Sequence, residues 1–142
     1  MAVAYAGVFL WSFLAATVLP LGSEPALFAL VRAGGAFWTA VSVATIGNVL
    51  GAATTWWIGR RVGDAIDRRH DPGPAERRAR AIFARWGAPS LLLSWVPVIG
   101  DAIVALSGGA GIRFLVFLPW VTAGKLGRYL VVAWSAGLMG RV

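Results

Sequence analysis

Glu24, Asp101, Lys125 and Arg128 are the residues of this 142-residue chain whose positions demand an explanation, because each is an ionisable side chain in sequence otherwise fit for lipid. One unpaired charge at the centre of a bilayer costs about 2.5–3.5 kcal/mol on insertion scales, so four would cost on the order of 10 kcal/mol, comparable to the stability of a whole domain. They must pair or meet water, and their formal charges cancel. Lys125 and Arg128 are three apart and share a helix face, so one basic surface can meet two acids. Buried acids of this kind take up protons or bind a coupling cation, and buried bases face an anion or serve as counter-ions. Local structure offers each acid a second explanation: Asp101 as the N-cap of a helix starting after Gly100, and Glu24 as a first-turn residue beside Ser23, favoured by the helix dipole. Neither accounts for the two cations.

Other chemistries find little support. The chain has no cysteine, which excludes disulfides, thiolate nucleophiles and cysteine metal sites. Its single histidine, His70, lies in the polar run RRHDPGP and reads as a solvated loop residue. We therefore expect no catalytic triad, metal site or cofactor, and no enzyme activity such as lipid phosphate hydrolysis. The formal charge of +7 does not imply nucleic acid, since eight of the thirteen basic residues lie between Arg60 and Arg85, beside apolar spans. A basic patch so placed is the mark of a cytoplasmic membrane flank.

The elements that must position the four charges follow from hydropathy. Hydrophobic residues make up 58% of the chain and charged ones 13%, about half the share of a soluble globule. Ala36 to Ile58 runs 23 residues without a charge, ends at Arg60 and Arg61, and carries Trp56 and Trp57 where an interfacial belt belongs. Phe114 to Gly140 is a second long stretch, interrupted by Lys125 and Arg128. The N-terminal stretch lacks the positive start of a secretory signal and is read as part of the fold. Two further apolar stretches are broken: Val3 to Leu30 at LPLGSEP, around Pro20 and Gly22, and Ala88 to Ala110 at VPVIGD, around Pro97 and Gly100. Proline removes a backbone donor and glycine loosens the turn, so a helix breaks there, and in lipid the freed groups need protein or water. Each broken stretch reads as a re-entrant helical hairpin, with a kinked full span as the alternative. Between the halves, AERRARAIFARW places Ala75, Ala79, Ile82, Phe83 and Trp86 at helical spacing, with Arg77, Arg78, Arg80 and Arg85 around the other side. This is an amphipathic helix suited to a surface of anionic lipid.

A shift of 77 residues pairs Pro20 with Pro97, Glu24 with Asp101, Gly34 with Gly111, Phe37 with Phe114, Gly47 with Gly124 and Trp57 with Trp134. A hairpin that does not cross, followed by a span that does, makes the second half start on the opposite side. The expected architecture is thus an all-α integral membrane domain over residues 1–142. It is an inverted repeat of about 3–60 and 88–140, joined by a cytoplasmic linker and surface helix at 61–87. Both termini then lie outside, with Arg113 and the eight arginines from Arg60 to Arg85 inside against Arg32 and Arg141 outside. The small residues of GNVLGAA and SGGAG favour close helix packing and a second copy as partner, besides the bilayer itself.

LPLGSE, ATIGNVLGA, LLLSWVPVIGD and AGKLGRYLVVA, with Gly51, Trp57, Gly59, Arg60, Arg61 and Gly63 closing the first span, resemble the short YqaA-like branch of the DedA family, also called the VTT or SNARE-associated Golgi protein family. The resemblance covers nearly the whole chain. It implies a membrane protein, in bacteria of the inner membrane, with two opposed re-entrant hairpins and a role as a proton-coupled transporter or flippase of lipid phosphates. Glu24 matches the family's acid in the first hairpin and Pro97 the proline of the second. Larger members carry Arg-x-x-Pro-x-x-Arg around that proline, whereas Ser94 and Gly100 stand there in this chain, so positive charge is expected from Arg128 and Lys125 instead. The competing expectation is a non-transporting scaffold whose buried charges fix the packing.

Overall fold

A computed structural model describes residues 1–17, 22–67, 71 and 73–139, without the side chains of 63–67, 138 and 139. Pro20, His70 and Arg141 lie outside the described residues. Within them the chain is all-helical: α1 (Ala2–Thr17), α2 (Glu24–Arg32), α3 (Phe37–Asp67), α4 (Pro74–Trp86), a 3-10 helix (Ala88–Trp95), α5 (Ile99–Gly109) and α6 (Phe114–Met139). In α3 and α6, the segments Phe37–Val62 and Phe114–Gly137, of 26 and 24 residues, are long and apolar enough to cross a bilayer. Their outward side chains are mostly apolar, with Trp38, Ile46, Leu50 and Trp57 exposed on α3, where Arg60 and Arg61 are exposed at the end, and Leu115, Val131 and Trp134 on α6.

The second broken stretch is interrupted at Pro97 and Val98, and in the first Gly22 and Ser23 stand outside the helices, but the details differ from expectation. The piece before the second break winds as a 3-10 helix, which a run of apolar residues does not distinguish from an α-helix. Val98, not Gly100, precedes α5, and it adopts φ 66°, ψ −56°, with the Ile99 amide donating to the Pro97 carbonyl at 2.7 Å. This is a γ-turn, a conformation that costs a β-branched residue strain. Asp101 is consequently the third residue of α5 and a first-turn acid, not the N-cap. Gly100 is held by space: a Cβ there would stand 2.7 Å from the carbonyl oxygens of Leu93 and Ser94. The first long helix also outruns its apolar stretch, reaching Asp67, because Arg60 and Arg61 end a span without ending a helix.

The turns into the two long helices repeat bond for bond. After α2, Gly35 donates to Leu30 and Gly34 to Val31; after α5, Ile112 donates to Ser107 and Gly111 to Gly108, each pair offset by 77 residues. Gly34 and Gly111, at φ 86° and 76°, occupy the left-handed position that closes a helix in this way.

The chain forms two compact units, residues 1–51 with 125–142, and 52–124. In the first, Val8, Leu27, Leu30, Ala40, Val41, Ala44, Tyr129 and Ala133 form the core. Gly47 and Gly51 let α3 touch α1, since a Cβ on either would strike the backbone at Phe9 or Phe13. In the second, α4 packs on α5 and on the 3-10 helix with Ala79 buried. Ala75, Ile82 and Phe83 are partly covered as the spacing requires, but Trp86 is 61% exposed and lies beneath Arg85.

Candidate functional site

The first unit contains a polar centre. At its heart Arg128 of α6 forms an ion pair with Glu24, the first residue of α2, with side-chain exposures of 13% and 29%. The residue after Arg128 and the residue before Glu24 make a second contact: the buried hydroxyls of Tyr129 and Ser23 are hydrogen-bonded. Ser23 stands at the N-cap position of α2, yet its side chain makes no capping bond, because it is given to Tyr129. One residue earlier, the Trp11 indole donates to the Gly22 carbonyl at 3.3 Å. Three consecutive residues at the break are thus each held by a side chain of α1 or α6.

Further polar groups surround this latch. Asn48 of α3 donates from Nδ2 to the Ser12 carbonyl of α1 at 3.1 Å, and both residues adjoin the Tyr129 phenol. Ser12 Oγ, Thr45 Oγ1 and Asn48 Oδ1 are buried without a protein partner. Such groups in apolar surroundings call for water or a ligand. Lys125 is also in this unit, 2% exposed, one turn before Arg128 and Tyr129. Asp101 belongs to the second unit, half-buried in the first turn of α5.

Of the four ionisable residues singled out from sequence, the structure joins Glu24 and Arg128 and buries Lys125. Gly22 is adjacent to the pair, while Pro97 lies in the second break and Gly100 is the second residue of α5. On α4, Arg77, Arg78 and Arg85 are exposed, whereas Arg80 is bound to Glu76 by two hydrogen bonds of 2.7 and 3.1 Å. The sequence reading passed over Tyr129, Ser12, Thr45 and Asn48. One signal was available: Asn48 lies 77 residues before Lys125, so the repeat places a polar side chain at both positions.

The described residues are all-helical, with two helices long and apolar enough to cross a bilayer, the arrangement expected of a membrane protein. The VTT domain family matches residues 19–136, and the chain belongs to that family, the DedA proteins, in its short YqaA-like branch. It is 37% identical over 127 residues to the inner membrane protein YqaA of Escherichia coli, covering 89% of this chain and 86% of that protein. An uncharacterized protein of Haemophilus influenzae is 35% identical over 138 residues, covering 88% and 82%. An uncharacterized membrane protein of Mycobacterium tuberculosis is 30% identical over 95 residues, covering 63% of this chain and 39% of that protein. No solved structure matches.

Proposed function

We propose that this protein moves an anionic lipid or small anionic solute across the bacterial inner membrane, coupled to protonation of acids at two re-entrant helix breaks. The observation that carries the reading is the Glu24–Arg128 pair. A carboxylate occupying a guanidinium stands where a substrate anion would bind, and a proton on Glu24 releases the guanidinium to accept one. Lys125, one turn away, adds positive charge, and Asp101 is the repeat's counterpart to Glu24. Buried Ser12, Thr45 and Asn48 supply uncharged polar atoms for water or a headgroup.

The inverted repeat is supported by the matching turns at Gly34 and Gly111 and by helices starting at Phe37 and Phe114, 77 apart. With the linker inside, exposed Arg77, Arg78 and Arg85 of α4 meet anionic headgroups, and rocking of one repeat against the other exposes the site alternately. A second copy is the expected protein partner. The scaffold reading draws on the Ser23–Tyr129 bond, which together with the ion pair is itself a packing device. Reconstitution separates the two. The parent moves lipid or anion in liposomes, and folded E24Q, D101N and R128Q variants lose at least tenfold in rate, whereas parental rates in all three sink the transport reading.

A further inference from the structure

The end of α3 carries two aromatic–basic pairs side by side, outside the site described above. Trp56 and Arg60, and Trp57 and Arg61, are each four residues apart, so each guanidinium reaches back one turn over an indole. Arg60 lies 5.4 Å from the Trp56 ring centroid and Arg61 4.9 Å from that of Trp57. The two rings differ in environment. Trp56 is buried, with its ring 5.4 Å from Phe114 and 5.7 Å from Phe117 of α6. Its backbone is fixed by the crossing of α3 on α5, where a Cβ on Gly108 would strike the Trp56 carbonyl and one on Gly59 the Ala105 carbonyl. Trp57 faces outward, 52% exposed beside Ile58 at 44%.

Arg60 and Arg61 are both exposed. A stacked guanidinium gives its face to the ring and keeps its in-plane N–H groups free, in the fork that fits a phosphate. Below the forks run the exposed apolar side chains of a membrane-length helix. Forks without an acceptor among the described residues, above an apolar surface, match a molecule with an anionic phosphodiester head and hydrocarbon chains. The geometry points to a headgroup clamp for an anionic phospholipid, formed by Arg60 and Arg61 on Trp56 and Trp57. It is separate from the arginines of α4 and independent of any transport.

Native mass spectrometry of the purified protein in equal amounts of phosphatidylglycerol and phosphatidylcholine tests it. The parent retains phosphatidylglycerol in excess, on the order of tenfold. R60Q/R61Q loses that excess, and R113Q, which removes a charge elsewhere, keeps it. R60K/R61K preserves charge without the planar fork and loses most of the excess; should the glutamine variant not fold, this one decides. An undiminished excess in folded R60Q/R61Q or in R60K/R61K overturns the clamp. So does displacement of the retained lipid by millimolar inorganic phosphate, which would place a soluble anion on the pairs.

Discussion

Arg128 and Tyr129 are neighbours on α6, and they hold Glu24 and Ser23, neighbours at the start of α2. Such paired holds predict a pattern of energies. Y129F and S23A each remove one hydrogen bond and should each lower stability by about 1 kcal/mol, with the double variant little worse than the larger single. R128M leaves a carboxylate in apolar surroundings. Because Glu24 keeps part of its surface exposed, the expected loss is about 2 kcal/mol and not the full penalty of a buried charge. The double variant E24Q/R128M should recover most of it, as thermal unfolding in detergent would show. An R128M loss that E24Q does not relieve would mean that the guanidinium acts through packing alone. The charged half of this site was legible in the sequence, because a charge in an apolar run needs a partner. Tyr129, Ser12 and Asn48 were not, because uncharged polar residues in such runs satisfy themselves in many ways and only packing selects one.

At the scale of elements, glycines at helix contacts separate from glycines in open positions. G108A and G59A drive a Cβ into the backbone across the α3–α5 crossing and should destabilise by about 1–3 kcal/mol. G127A meets nothing within 4 Å and should be neutral or stabilising by up to about 1 kcal/mol, since it only improves helix propensity. V98G relieves the γ-turn strain before α5 and should raise the melting temperature by a few degrees. A fall would show that the valine side chain outweighs its backbone strain. The order of elements was readable from hydropathy, prolines and glycines. The 3-10 helix at Ala88–Trp95, the extension of α3 to Asp67 and the cap at Val98 were not, since each depends on backbone contacts that composition does not encode.

For the whole molecule, the proposed inverted repeat predicts a topology that the chain's lack of cysteine makes easy to test. In intact cells stripped of the outer membrane, A2C should react with a membrane-impermeant maleimide and D71C should not until the membrane is opened. Labelling of D71C from outside would reverse the orientation or break the repeat. The charge bias toward the linker is what predicts this orientation, whereas the depth of the two breaks depends on the surrounding bilayer. The central claim is that Glu24, paired with Arg128, is the proton-sensitive element of a transport site. The most direct measurement is substrate movement into liposomes with and without an imposed pH gradient, comparing the parent with folded E24Q. The account predicts that the gradient accelerates the parent and leaves E24Q indifferent; an E24Q variant that still responds to the gradient like the parent would contradict it.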